Sequence, residues 1–422
     1  MVARFLNSPG RSVGAVALAA ALVAGCGGGT KTADPGAAAP TSTVPCTGTP
    51  LRLTTITGLT GPVAFPSLAA ELQDAYKAAQ QSVNSTCELG RPLDIVVCDD
   101  KSDPNQATKC GRDAAGDGSL ALFGNSGLYD TGTTAANLPS VLTSASTNFD
   151  LTNERSYPVI SGLNLIMGAA SAAKAAKADQ MLMVAFDTGP SRTFVALGQA
   201  IANQVGVKMD VQWVPPDTTD FAPVAAQIAQ QKPKAIATIL QKTVPFMNAL
   251  DAEGISPKET PIMTAINFFP LEAADQLGSK ADGLYLLSQA APPSDEDNPG
   301  IKQMLTELKA AGVDKDAKKL SPATTIAWAS VHILADALKG MPKAEIASLD
   351  SAKLVEIMGK LGPVNRPELT PFDFTKPAYA EIPPLAKMRL FSRQAMVLRV
   401  QDGAYETVSP FGDATKPFKL ES

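Results

Sequence analysis

The sequence predicts an α/β fold built as two parallel-sheet lobes, and three observations carry that prediction. Short β-rich runs alternate with helical patterns from Leu51 onward. The alternation occurs twice, as two successive series of strand-helix units. Helix-rich sequence then resumes beyond Pro299 with few strands of its own, so a discontinuous arrangement that returns these late helices to the first lobe accounts for them.

The N-terminus reads as an export signal. Arg4 and Arg11 supply positive charge, and the uncharged apolar run from Val13 to Gly25 is too short to span a bilayer core, which needs roughly 20 residues. Residues 1–25 are therefore expected to be removed on export. The segment Val23-Ala24-Gly25-Cys26 reads as a lipobox, in which small residues fit a signal peptidase pocket and Cys26 can carry a thioether-linked diacylglycerol. Residues 26–46 then form the lipidated cysteine and a tether, because Gly27 to Pro45 is almost entirely Gly, Ala, Thr, Ser and Pro. As a flexible coil it would span on the order of 25 Å. No later uncharged stretch approaches membrane-spanning length, so the expectation is an exported chain held by lipid on the outer face of the cell membrane.

The first series opens with a strand at Leu51 to Thr57. Leu68, Leu72, Tyr76, Ala79 and Val83 then share one helical face. Leu93 to Cys98 is the next strand, followed by a helix that Asp103 can cap, with Pro104 at its first position. Ser119 to Phe123 and Val141 to Thr143 are further short strands. The second series runs Met181 to Phe186, Lys208 to Val214, Ala235 to Leu240, Ile262 to Ala265 and Leu284 to Leu287, the first four each trailed by a helical stretch. Ala290 to Pro299 is the clearest internal linker, and Ser321-Pro322 opens a long helix to about Lys339. Met388 to Leu390 and Ala395 to Gln401 read as strands, with Asp402-Gly403 turning into Ala404 to Val408.

Charge and cysteines narrow the function classes. With 36 Lys+Arg against 41 Asp+Glu the net charge is −5, and no basic run tracks phosphates, so nucleic acid is not an expected partner. Besides Cys26 there are Cys46, Cys87, Cys98 and Cys110, at spacings of 41, 11 and 12 residues. In an exported chain this favours two disulfides, and with His332 as the single histidine no metal site is expected. Three connectivities are possible. If the strands after Cys46 and Cys87 are parallel neighbours their starts lie together, which pairs Cys46 with Cys87 and leaves Cys98 for Cys110.

Catalytic patterns are missing. His332 sits mid-helix among apolar residues and reads as a packed histidine. Gly124-Asn125-Ser126-Gly127 only superficially resembles a nucleophile elbow, and neither a G-x-G-x-x-G fingerprint nor a phosphate-binding P-loop is present. Asp99-Asp100 reads as loop solvation and helix capping. Neither an enzyme nor a cofactor is expected.

Three segments together resemble one family. These are Gly58-Leu59-Thr60-Gly61-Pro62 after the first strand, Val97-Cys98-Asp99-Asp100 with Asp103-Pro104-Asn105-Gln106-Ala107 after the second, and Ala145-Ser146-Thr147-Asn148-Phe149-Asp150-Leu151-Thr152 later. Their order and spacing resemble the branched-chain amino-acid type of periplasmic binding protein, from about Leu51 to the C-terminal hairpin, strongly in the first lobe and weakly in the second. The resemblance implies the type I periplasmic binding fold, two doubly wound parallel-sheet lobes joined by a hinge, acting as a monomer that delivers a small solute to an ABC permease. It implies one lobe from 47–160 with 292–371 and another from 161–291 with 372–422. Ligands of such sheets bind beyond the strands' carboxyl ends.

Carried over by position, the family's ligand loops are similar to Asn125 and Ser126, and to Ala145, Ser146 and Thr147. Phe65 is placed to wall the pocket. Across the cleft the corresponding loops offer Ser191 and Arg192, Gln241 and Lys242, and Asn267 and Phe268. The sequence departs from the amino-acid binders in this last loop, where Ala265-Ile266-Asn267-Phe268-Phe269-Pro270 lacks the acid that pairs a ligand ammonium. An amide, a carboxylate without an ammonium, or an aromatic acid is therefore the expected ligand. The alternatives from other classes are an extracytoplasmic sensor without transport and an envelope hydrolase, for which no nucleophile-base pair can be named.

Overall fold

The computed structural model describes residues 46–61 and 66–420, all within a single unit; Phe65, Cys26 and the leader lie outside the described residues. The first series folds as β1 (Leu51–Thr57), α1 (Pro66–Thr86), β2 (Leu93–Asp99), α2 (Pro104–Gly116), β3 (Leu122–Phe123), α3 (Asp130–Ala136), β4 (Ser140–Ala145), α4 (Asn148–Thr152) and β5 (Ser156–Ser161). The five strands are parallel, in the order β2-β1-β3-β4-β5. Six of the seven β1 residues are buried, as expected for a parallel strand covered on both faces.

The second series supplies α5 (Gly162–Ala175), β6 (Gln180–Phe186), α6 (Gly189–Val205), β7 (Lys208–Val214), α7 (Ala222–Gln231), β8 (Ile236–Thr238), α8 (Thr243–Ala252), β9 (Ile262–Ala265), α9 (Leu271–Leu277) and β10 (Tyr285–Ser288). After it come α10 (Pro299–Ala310), α11 (Pro322–Lys339), α12 (Lys343–Ala347) and α13 (Ser351–Lys360). The chain closes with β11 (Gln394–Gln401) and β12 (Ala404–Asp413). The second sheet runs β12-β11-β10-β9-β8-β6-β7, parallel except at β11 and β12. Asp402 and Gly403 turn that hairpin with φ of 50° and 73°, the left-handed pair a two-residue loop requires.

Local chemistry fixes the helix starts. Asp103 accepts from the backbone N–H groups of Asn105 and Gln106 at the head of α2, where Pro104 has no N–H to satisfy. Thr147 and Asp150 form a reciprocal capping box on α4. Leu51 pairs with Leu93 in register, which brings the chain ahead of each strand together. Cys46 and Cys87 are bonded there with Cα atoms 5.0 Å apart, and Cys98 and Cys110 join β2 to α2 across 5.8 Å.

The late helices return to the first sheet. Trp328 and Leu334 of α11 pack in one core with Leu53, Phe123 and Val141. The stretch after α13 serves both lobes: Phe372, Phe374 and Phe391 enter the first core, and Tyr379, Ile382 and Leu385 enter the second. This corrects the strand expected at Met388 to Leu390. Its backbone groups are taken singly, Arg389 N–H by Leu151 O and Met388 N–H by Leu385 O, because each side of the segment faces a different core. The expected strand at Ser119 to Phe123 shortens to Leu122–Phe123, and β5 was not anticipated.

The hinge between the lobes is polar and buried. Gln289, after β10, accepts the Ser161 N–H on its Oε1 at 2.7 Å and the Thr370 N–H on its carbonyl at 2.8 Å. Its Nε2 donates to Gln394 O at 3.4 Å. One residue, through its side chain and its carbonyl, thus ties together three other passages of the chain.

Candidate functional site

The carboxyl ends of the two parallel sheets face one cavity of about 280 Å³. From the first lobe Thr57 and Gly58 follow β1, Asp100 follows β2, Ser126 follows β3, and Ser144 and Ser146 lie at the end of β4. From the second lobe come Ser191 at the start of α6, Thr238 and Gln241 at the end of β8, and Asn267 and Phe268 after β9. The walls are apolar: Leu72 of α1, Leu165 and Ile166 of α5, Phe194 of α6, Ile326 of α11, and Leu128.

Most of the hydroxyls in the lining already have protein partners. Thr57 and Ser126 share a hydrogen bond of 2.8 Å, Ser146 donates to Ser144 O, and Thr264 donates to Thr238 O. Thr188 and Ser191 are joined at 2.8 Å. The side-chain amides of Gln241 and Asn267, both half-buried, have no hydrogen-bond partner among the described residues. They are free to read a polar group with either a donor or an acceptor.

One charged side chain lines the cavity. Asp100 is 1% exposed, and burial, with the neighbouring charges of Asp99 and Asp103, raises its carboxyl above the usual range. Its Oδ1 accepts from the Ser102 N–H at 2.8 Å. Asp99 differs: Leu59, Thr60 and Lys101 N–H groups and the Thr60 hydroxyl all donate to it, and they hold its carboxyl below the usual range although its partial desolvation opposes them.

The sequence-predicted residues divide within every loop but the one after β9. Ser126, Ser146, Ser191, Gln241, Asn267 and Phe268 come together on the lining. The other predicted residues do not. Asn125 turns inward to accept the Ile56 N–H, Ala145 is fully buried in the second core, and Thr147 caps α4. Arg192 pairs with Asp187 at 2.6 and 2.9 Å and lies over Trp213. Lys242 donates to Thr218 O at 2.8 Å with its ammonium over Phe186. Phe65 lies outside the described residues. Sequence reasoning took Asp100 for loop solvation and helix capping, whereas it is buried and lines the cavity, and it passed over Ser144 and most of the apolar helix residues; the period-two alternation along β2 separates Asp100 from Asp99 and was the available signal.

A family model described as periplasmic binding protein matches residues 50–390. The chain belongs to that family. Periplasmic binding proteins of this type are the solute receptors of ABC transporters, and act outside the cytoplasm. Among solved structures, this periplasmic binding protein is similar to a fatty acid ABC transporter substrate-binding protein from Thermomonospora curvata, at 18% identity and TM-score 0.69, over 88% of this chain and 95% of that one. It is similar to a leucine-binding protein from Thermotoga maritima at 16% identity and TM-score 0.66, covering 85% and 97%. A solute-binding protein from R. palustris in complex with benzoate aligns at 14% identity and TM-score 0.67, covering 89% and 98%. At these identities the likeness is one of fold. No curated protein matches the chain. Among the described residues no helix is long and apolar enough to cross a membrane, and no group of three His, Cys, Asp or Glu side chains is placed to hold a metal ion.

Proposed function

We propose that the protein is the lipid-anchored solute receptor of an ABC importer, that it captures one small solute between its lobes, and that it catalyses no reaction. The observation carrying this reading is the cavity itself, enclosed by the carboxyl ends of two parallel sheets and walled by apolar side chains with a few polar groups. Such a lining suits a solute with an apolar body and a single amide or carboxylate head. Proteins of similar fold described as binding fatty acid and benzoate, each an apolar body with one polar end, support the same class.

Ser126, Ser146, Ser191, Gln241, Asn267 and Phe268 are the proposed contacts, joined by Thr57, Asp100 and Ser144. Cys26 is the proposed lipidation site, which would place the receptor beside its permease on the outer face of the cell membrane. Mass spectrometry of solute released from purified protein tests the function. One stoichiometric small solute of this class is the expected result; a protein that releases none and binds none in a broad thermal-shift panel would not be a receptor. Cys26→Ser should free the protein from membranes or stall its processing, and normal membrane retention of that variant would remove the anchor.

A further inference from the structure

The cavity has an electrostatic sign. Around it, the donors of the loop after β4 and the two predicted cations are taken by the protein's own carboxylates and carbonyls, which leaves the Gln241 and Asn267 amides as the unpartnered amide donors on the lining. The Ser146 and Thr147 N–H groups donate to Asp150 Oδ2 at 3.3 and 3.2 Å, and the Thr147 hydroxyl donates to the same oxygen at 2.9 Å. Asp150 is 3% exposed and takes these donors as part of the α4 capping box. Arg192 and Lys242, the cations predicted beside the cleft, are turned to Asp187 and to Thr218 O.

Asp100 is the opposite case. Asp99 and Asp103 on either side of it are hydrogen-bonded by backbone N–H groups, yet Asp100 Oδ2 accepts no hydrogen bond among the described residues. No lysine or arginine pairs with any of the three acids among the described residues. Two glycines leave its oxygens uncovered: a Cβ at Gly58 would lie 3.3 Å from Oδ1, and one at Gly127 would lie 3.1 Å from Oδ2. A buried carboxylate with an open oxygen and no counter-charge is costly unless something else donates to it.

Resting on the receptor reading above but replacing its carboxylate option, we infer that the solute carries a nitrogen head whose N–H groups donate to Asp100, so that Asp100 selects amines and amides over carboxylates. The apolar walls take the body of the solute, and Gln241 and Asn267 face it from the other lobe. An ammonium would gain most, since it supplies the missing counter-charge in a site of low dielectric.

Benzylamine, benzamide and benzoate share one body and differ at the head, so calorimetric titration of the protein with these three probes isolates the effect. Benzylamine should bind at least about tenfold more tightly than benzoate, with benzamide between them. Asp100→Asn should bring all three within about threefold of one another. Gly127→Ala keeps the acid but crowds its open oxygen with a Cβ at 3.1 Å, and should weaken benzylamine while leaving benzoate unchanged; it serves if the Asp100 variant fails to fold. Benzoate binding as tightly as benzylamine, or no binding of benzylamine, would overturn the inference. A co-purified solute of any head group would keep the receptor reading intact in that event.

Discussion

At the scale of single residues, the loop after β4 is held by a group that titrates within reach of ordinary buffers. Burial drives the Asp150 carboxyl up to about 6, against hydrogen bonds from Thr147 and Ser146 that pull it down. A carboxyl raised in the folded state binds its proton more tightly there than in the unfolded chain, so its contribution to stability is fully present below about pH 4 and is lost as pH rises through 6. The shift corresponds to something on the order of 2–3 kcal/mol. Urea unfolding of wild type and Asp150→Asn between pH 4 and pH 7 should therefore show the variant gaining relative stability as pH rises. A difference that stays flat over that range would refute the argument. Thr147→Ala removes the cap of the same helix and should lower stability by about 1 kcal/mol in the same measurement, with no change a mark against the cap. These residues also explain how much of the site was legible. The sequence pointed to loops that line the cavity, but neighbouring residues in a loop face opposite ways, and residue type does not say which faces the cavity. Ser126 lines the cavity while Asn125 braces β1; Ser191 lines it while Arg192 faces Asp187. Only after β9 do both residues of a chosen pair, Asn267 and Phe268, reach it.

Among the elements, the ones read correctly are those whose pattern is local. β7 and β9 fall where the sequence pattern puts them, β7 as a half-buried edge strand and β9 as a short buried one. β5 was hidden by Pro158, which argues against a strand interior; it is tolerated because β5 is the edge of its sheet, paired on one side only, and the register shifts where Thr143 meets Pro158. The Met388 to Leu390 stretch misled for the converse reason. Its apolar residues serve long-range packing, and the Arg389 guanidinium lies between the rings of Tyr157 and Phe391 at 4.7 and 4.8 Å. The disulfide from β2 to α2 is the element with the simplest energetics. Closing a loop of this length restricts the unfolded chain, so replacing Cys98 and Cys110 by Ser should cost about 3 kcal/mol in denaturant unfolding. A loss under about 1 kcal/mol would mean that α2 is held by packing of Ala107 and Ala114 alone.

For the whole molecule, a small polar knot joins the passages of chain that connect the two lobes. Gln289→Ala would leave the buried Ser161 N–H without its partner, while the Thr370 hydroxyl still serves the Gln394 carbonyl, which should lower stability by about 1–3 kcal/mol and speed hydrogen exchange at Ser161. Unchanged exchange there would show that Gln289 is incidental to the hinge. The overall architecture was legible because it rests on the order of strands and helices, whereas the knot was not, since Gln289, Thr370 and Gln394 are distant in sequence and meet only after both lobes form. The bond between Cys46 and Cys87 has a mechanical consequence. It closes the span of 41 residues that contains β1 into a covalent ring. A pull on the chain ahead of Cys46 passes through sulfur into the turn that follows α1, so the load bypasses the hydrogen bonds of β1. The strand that carries Thr57 and Gly58 to the cavity is then spared that tension, and a force on the chain ahead of Cys46 does not unzip the cleft.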